Sequence, residues 1–266
     1  MPWITRGVRD GVVTSHYPRR PDGYGATFRA AIAVRSPGRD ALGSDPPLDS
    51  VAVLCPTRAI SIESGEVRVD RGRCITCGRC VNLRPDIFAF DADIEVAEHR
   101  TDLLVAPEIR EEPADLAALR DDLIRRVRAL RRSIHIRHVD CGSDGTEEWE
   151  IAALTNPVYD IQRLGVFFTA SPRHADLLLV TGAGSSGMLG PLQRTYEAMP
   201  APKVVVAVGS DATAGGLFAG GYATRGGIAH EIAVDVFVPG SPPSPFSILH
   251  GILLAIGLLP ARSAER

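Results

Sequence analysis

The chain has 266 residues, a formal net charge of −3, 45% hydrophobic and 23% charged residues, with 26 glycines and 20 prolines. That balance excludes a disordered chain and a strongly basic nucleic-acid binder, and the length allows one large domain or two modest ones. The 29 cationic residues are arginine except for Lys203, and 32 acidic residues offset them. The longest apolar run, Ser247 to Leu259, is shorter than the roughly 20 residues that span a bilayer. No signal peptide is legible after Met1, so the expected location is cytoplasmic, with membrane association only through a partner.

Residues 1–45 are rich in arginine, glycine and proline and read as an extended docking arm, with turn chemistry from Ser36 to Ser50. Residues 46–98 form a small unit with short strands at AISIES (59–64), EVRVD (66–70) and IFAFD (87–91) around a set of cysteines. Its core is too small to be stable unaided, and a metal cluster would supply the missing cross-links.

A linker and an arginine-rich helix occupy residues 99–132. From Pro113 to Ser133, Leu116, Leu119, Leu123, Val127 and Leu130 recur at helical spacing, with acids early and arginines late as the helix dipole favours. Its arginine pairs read as a solvated face, the alternative being a docking surface for an acidic partner.

From 133 to 262, strand-like IHIRHV (134–139), GVFFTA (165–170), ADLLLVTG (175–182), KVVVAVG (203–209) and AVDVFVPG (233–240) alternate with helical segments. These are EEWEIAALT (147–155), GMLGPLQRTYEAM (187–199) and PFSILHGILLAIGLL (245–259). Such alternation predicts an α/β fold with a parallel sheet and helices on both faces. Ligands in such sheets sit beyond the carboxyl ends of the strands, here the loops Cys141–Thr146, Thr181–Gly187, Gly209–Gly216 and Pro239–Pro245.

The five cysteines are Cys55, Cys74, Cys77, Cys80 and Cys141, an odd number that argues against a disulfide framework. Cys74-Ile-Thr-Cys77-Gly-Arg-Cys80 has two consecutive two-residue gaps, which let three thiolates converge on one cuboidal iron-sulfur cluster. Bacterial ferredoxins use C-x2-C-x2-C-x3-C-P, the fourth cysteine serving the other cluster of a pair. Here the fourth place holds Arg84, followed by Pro85, while Cys55-Pro56 ends a first run whose other places hold Val51, Leu48 and Asp45.

Cys55 is therefore expected to cross over and join Cys74, Cys77 and Cys80 around one [4Fe-4S] cluster. All four ligands of the second cluster are missing. Zinc is the competing metal, and iron and sulfide analysis separates the two.

The segments CITCGRCV and LCPTRAI, with the arm RGVRDGVVTSHYP before them, resemble the ferredoxin-type subunit of complex I-like and energy-converting hydrogenase assemblies. The second half resembles their 20 kDa-type small subunit, as in formate hydrogenlyase and group 4 [NiFe] hydrogenases. SIHIRHVD (133–140), ALTNPVYDIQRLGVFFTASPRHADLLLVTG (153–182), YEAMPAPKVVVAVG (196–209), GGLFAGGYATRGGI (215–228) and VDVFVPGSPPSP (234–245) carry that similarity. The resemblance implies a ferredoxin-like α+β domain over 46–98 fused to a flavodoxin-like domain over 133–262. It also implies a large-subunit-like partner, no nucleic acid, and a place at the inner face of the cell membrane through the complex.

Members of that family hold a further [4Fe-4S] cluster on four cysteines, and motif matching puts those places at Asp144, Glu147, Asp211 and Ser241, none a cysteine. Cys141 lies three residues before the first and reads as a small loop side chain. The resemblance thus implies loss of this proximal cluster. Either the three carboxylates are solvated or paired, with Arg137, Arg163 and Arg173 as possible counter-charges, or they and the serine bind a hard divalent cation.

Gly182-Ala-Gly-Ser-Ser-Gly187 could cradle an anion, though a lone GxGxxG is a weak nucleotide signal. His135, His138 and His174 flank the altered site and read as structural histidines or proton relays. Ser185 and Ser186 lie in no GxSxG elbow.

The expected function is an iron-sulfur electron-transfer subunit, with no catalytic residue of its own. A non-redox scaffold for a large subunit and a carboxylate-metal protein are the alternatives.

Overall fold

The computed structural model describes residues 2–20, 23–35, 46–63, 65–108, 115–128 and 133–259. Asp45, Leu130 and most of the Ser36–Ser50 turn segment lie outside them.

The amino-terminal segment is not wholly extended. Pro2–Asp10 is a helix, α1, and Ala31–Val34 is a strand, β1. A short helix α2 (Leu48–Leu54) then leads to the hairpin β2 (Ile60–Glu63) and β3 (Glu66–Asp70). Helix α3 (Arg79–Leu83) and strand β4 (Phe88–Asp91) follow, then β5 (Val105–Ala106).

Strand β4 does not extend the hairpin but pairs antiparallel with β1, Ile32 opposite Phe90. The third strand beside the hairpin is β5, antiparallel to β3. Ile32, Leu48, Val51, Val67, Val69, Ile87, Phe88 and Ala106 make one apolar cluster, so the small unit recruits residues on both sides of 46–98.

Helix α4 (Leu116–Val127) buries Leu116, Leu123 and Val127 of the predicted apolar positions, while Leu119 is exposed. One arginine of its pairs is tied into the fold: Arg126 bonds Asp122 on its own helix and Asp235 beyond it.

The second half follows the predicted alternation. Its strands are β6 (Ile134–Asp140), β7 (Val166–Phe168), β8 (Leu177–Thr181), β9 (Val204–Val208) and β10 (Val236–Val238). They form a single parallel sheet in the order β10-β9-β8-β6-β7. Strands β8 and β9 are buried at every position, which explains their uninterrupted apolar runs.

Helices α5 (Thr146–Ala153), α6 (Leu189–Ala198), α7 (Gly209–Ala214) and α8 (Pro245–Ala255) complete this half. All of α8 is buried, which accounts for its apolar character on every side. Its start is set by Ser244, whose Oγ accepts from the Ser247 N–H, and by Pro245 in the first turn. No helix among the described residues is long and apolar enough to cross a membrane.

The two halves are stitched together. Ser15 N–H donates to the Val158 carbonyl at 2.8 Å, Tyr17 packs edge-on against Phe246, and Glu98 pairs with Phe237 beside β10.

Candidate functional site

Cys55 lies just past α2 and the other three cysteines precede or begin α3. All four line one pocket, with Ile32, Val51, Ile60 and Val69 as its apolar wall. Cys55, Cys74 and Cys80 are half-buried and Cys77 is exposed.

Backbone amides already aim at the sulfurs. Ala59 N–H donates to Cys55 Sγ at 3.3 Å and Thr76 N–H to Cys74 Sγ at 3.4 Å. Burial pushes the Cys74 thiol up to about 12, with repulsion from Cys80, Cys55 and Cys77 adding to it. Burial likewise pushes Cys80 up to about 11. Four thiolates could be ionised together here only against strong positive charge, which the irons of a cluster provide. Donor set, backbone N–H groups and apolar wall all fit a cuboidal iron-sulfur cluster.

The places expected of an erased ferredoxin cluster are filled. Leu48 and Val51 belong to the small apolar core, and Arg84, with 2% of its surface exposed, donates to Asp86 and to the Pro46 carbonyl at 3.0 Å.

The second constellation lies beyond the carboxyl ends of the parallel strands. Glu147, in the first turn of α5, has no exposed surface, and Asp211, in α7, has 4%. A Cβ built on Gly209 would stand 2.7 Å from Glu147 Oε1, and one on Gly216 would collide with Asp211 Oδ1. Two glycines therefore leave the room these carboxyls occupy. Burial raises Glu147 to about 7, with further repulsion from Asp211 and Asp144, and raises Asp211 to about 6, with repulsion from Asp144 and Glu148. Exposed Asp144 is held low by the hydroxyl and N–H of Thr146.

The charge of Asp144 thus acts on both Glu147 and Asp211, and that of Asp211 on Glu147. Ser241 follows Gly240, whose carbonyl accepts from Ser210 N–H at 2.7 Å, which brings the Pro239–Pro245 loop to α7.

One of the anticipated counter-charges is engaged elsewhere. Arg163 donates to the Tyr17 carbonyl and to Ser15, and no cation is among the charges that shift Glu147 or Asp211. Among the described residues no group of three or more His, Cys, Asp or Glu could hold a single metal ion.

His138 hydrogen bonds to Thr181 Oγ1 at 3.0 Å, and the Thr181 hydroxyl in turn donates to Glu148. His135 lies 3.6 Å from Asp176. Cys141 is fully buried in its loop, its N–H donating to the Thr181 carbonyl.

The glycine-rich loop has already spent its amides. Ala183, Ser185 and Ser186 N–H donate to Gly142, Cys141 and Ala223 carbonyls, leaving those three no free donor for an anion. What sequence reasoning missed is α7. Its Ser210 Oγ donates to the Cys74 carbonyl at 2.8 Å, joining the carboxylate pocket to the cysteine loop.

Comparison with known proteins matches residues 144–255 to the family of the NADH ubiquinone oxidoreductase 20 kDa subunit. Residues 69–119 match the 4Fe-4S single cluster domain of ferredoxin I. The second stretch contains Cys74, Cys77 and Cys80 and begins after Cys55; the first contains no cysteine.

Formate hydrogenlyase subunit 7 of Escherichia coli K12 is 38% identical over 144 residues, covering 54% of this chain and 55% of that protein. The "Probable membrane-bound hydrogenase subunit mbhJ" of Pyrococcus furiosus is 45% identical over 127 residues, covering 48% and 76%. An uncharacterized protein of Methanocaldococcus jannaschii is 42% identical over 123 residues, covering 46% and 82%. The chain therefore spans about half of the formate hydrogenlyase subunit but most of the other two.

Among solved structures, a chain of an archaeal membrane-bound sulfane sulfur reductase aligns at TM-score 0.45 and 31% identity, covering 50% of this chain and 73% of its own. The chain belongs to the 20 kDa-type small-subunit family of complex I and its hydrogenase relatives, joined to a ferredoxin-type domain.

Proposed function

We propose that this chain is an electron-transfer subunit of a hydrogenase-like or complex I-like assembly, holding one [4Fe-4S] cluster on Cys55, Cys74, Cys77 and Cys80 and none at the family's proximal site. The observation that carries this reading is the convergence of four thiols, from segments 19 residues apart, on one apolar pocket.

A bound [4Fe-4S] cluster accepts and releases single electrons. The chain's own residues set the conditions for that. The amides of Ala59 and Thr76 favour charge on the sulfurs they face, and the apolar wall keeps water from one side. Exposed Cys77 marks the edge at which a partner would exchange electrons.

Two features support the absence of the proximal cluster. The four corresponding positions lack cysteine, and two of them are carboxyls that fill the room left by Gly209 and Gly216. A large-subunit-like partner is supported by the relatives' membership of multi-subunit hydrogenases and by the exposed apolar side chains of Trp149 in α5 and of Leu217, Phe218 and Tyr222 after α7. Through that partner the chain would lie at the membrane periphery.

Protein purified without oxygen should carry about four irons and four sulfides per chain and give the paramagnetic signal of a reduced cubane after dithionite. Zinc without sulfide would overturn the proposal.

A further inference from the structure

The carboxylate pocket carries an inference that rests on the cluster reading for its electron and on the pocket's own geometry for its proton. We propose that Glu147 and Asp211 form an acid pair holding one shared proton, and that storing an electron at the neighbouring four-cysteine site is coupled to uptake of that proton.

Three observations place a proton there. Glu147 Oε1 is fully buried and has no hydrogen-bond donor in reach, a costly state for a charged oxygen and a tolerable one for a neutral acid. The Thr146 hydroxyl touches two carboxyl oxygens, Asp144 Oδ1 at 2.6 Å and Glu147 Oε2 at 3.1 Å. One hydroxyl hydrogen cannot serve two ionised acceptors, so good contact to both requires a proton on one of them. Finally, no cation is among the charges that shift either acid, and the charge of Asp211 repels that of Glu147, so a proton on one relieves the other.

The surrounding charges leave this unchanged. On the segment of Glu147 lie Asp140, Asp144, Glu148 and Glu150, all acids; α8, packed against α5, offers only His250, engaged with Ala97 N–H. His138 in β6 faces Glu148, burial lowers its proton affinity, and Arg137 beside it lowers it further. On the cysteine loop that touches α7, Arg71 pairs with Asp91 and Glu108, and Arg73 with Asp70.

The coupling follows from position. Ser210, which donates to the Cys74 carbonyl, directly precedes Asp211, and Thr213 packs its methyl against Gly72. A unit charge roughly 10 Å away, at an effective dielectric of about 20, changes a proton affinity by about tenfold. Exposed Asp144 and the Thr146 hydroxyl give that proton a route to Glu147 from water. At a pH where the oxidised chain has lost the shared proton, one electron comes from the external reductant and one proton from solvent; the pair returns from two negative charges to one, and no bond to iron or sulfur changes.

The test uses the full chain, after iron and sulfide analysis has established the cluster separately. Midpoint potentials are measured by paramagnetic resonance from pH 5 to 9. The expected result is a potential that falls with rising pH between about pH 6 and 8, flattened in Asp211→Asn and Glu147→Gln while iron content stays at about four. A flat wild-type profile, or a slope surviving in both variants, overturns the coupling.

Infrared spectra of the wild type near pH 6 read the shared proton whether or not a cluster is present. A protonated-carboxyl band that titrates and is missing in Glu147→Gln is expected. Its absence in the wild type overturns the pair even if the iron count is right.

Discussion

The cysteine pocket and the carboxylate pocket meet at one hydrogen bond, Ser210 to Cys74, yet they hold charge in opposite ways. The first presents four soft donors with backbone amides aimed at sulfur, a set that stays costly until metal compensates it. The second presents buried carboxyls with no cation, one oxygen unpartnered, a set that compensates itself by keeping a proton. On the proposed reading, carboxyls at the family's ligand positions make a place for protons rather than for electrons. That is the contrast the following experiments break or sharpen.

The largest effect is expected from the cysteines. Cys55→Ser should lose as much iron as Cys77→Ser, from about four per chain to less than one, although Cys55 lies outside the matched ferredoxin stretch. Full iron retention in Cys55→Ser would separate it from the pocket.

Next is Arg84, which stands where a bacterial ferredoxin run has its fourth cysteine and is buried on Asp86 and the Pro46 carbonyl. Arg84→Ala should cost about 2–3 kcal/mol in denaturant unfolding, because it removes charged hydrogen bonds and leaves the partly buried Pro46 carbonyl without that donor. A loss under half of that would mean that the arginine merely fills space.

The carboxyl pair should act on stability in a defined direction. Folding raises Glu147 from 4.5 to about 7 and Asp211 from 3.8 to about 6, so the folded chain binds more protons between those values. The contribution is full below about pH 4 and is lost as pH rises through 6 and 7. The double variant Glu147→Gln/Asp211→Asn should therefore be more stable than wild type at pH 8, by about 2 kcal/mol, and gain little at pH 4.5. Equal gains at both would point to packing rather than charge.

The smallest effect concerns the glycine-rich loop. Since three of its amides are bonded within the protein, phosphate or dinucleotides should leave the melting temperature unchanged.

Legibility differed between the two pockets for physical reasons. The cysteine spacing carries its chemistry locally, and the strands β8 and β9 are buried apolar runs that declare themselves. The pairing of β4 with β1 is a non-local event, and Ala-Ile-Ala-Val within an arginine- and glycine-rich stretch is too short to mark a strand. Helix α7, Gly-Ser-Asp-Ala-Thr-Ala, has no apolar period and is held by its neighbours. The carboxylates were found only through the family resemblance, because three separate loops deliver them. Their lack of arginine partners was invisible, since Arg163 is drawn instead to the amino-terminal arm.

The most direct test of the account places cysteine at the four positions matched to the family's cluster ligands. The combined variant Asp144→Cys/Glu147→Cys/Asp211→Cys/Ser241→Cys, reconstituted with iron and sulfide beside the wild type, should rise from about four irons per chain to about eight. A folded variant that stays at about four, or a wild type that already binds about eight, would contradict the claim that the carboxylate pocket is a cluster site rebuilt for protons.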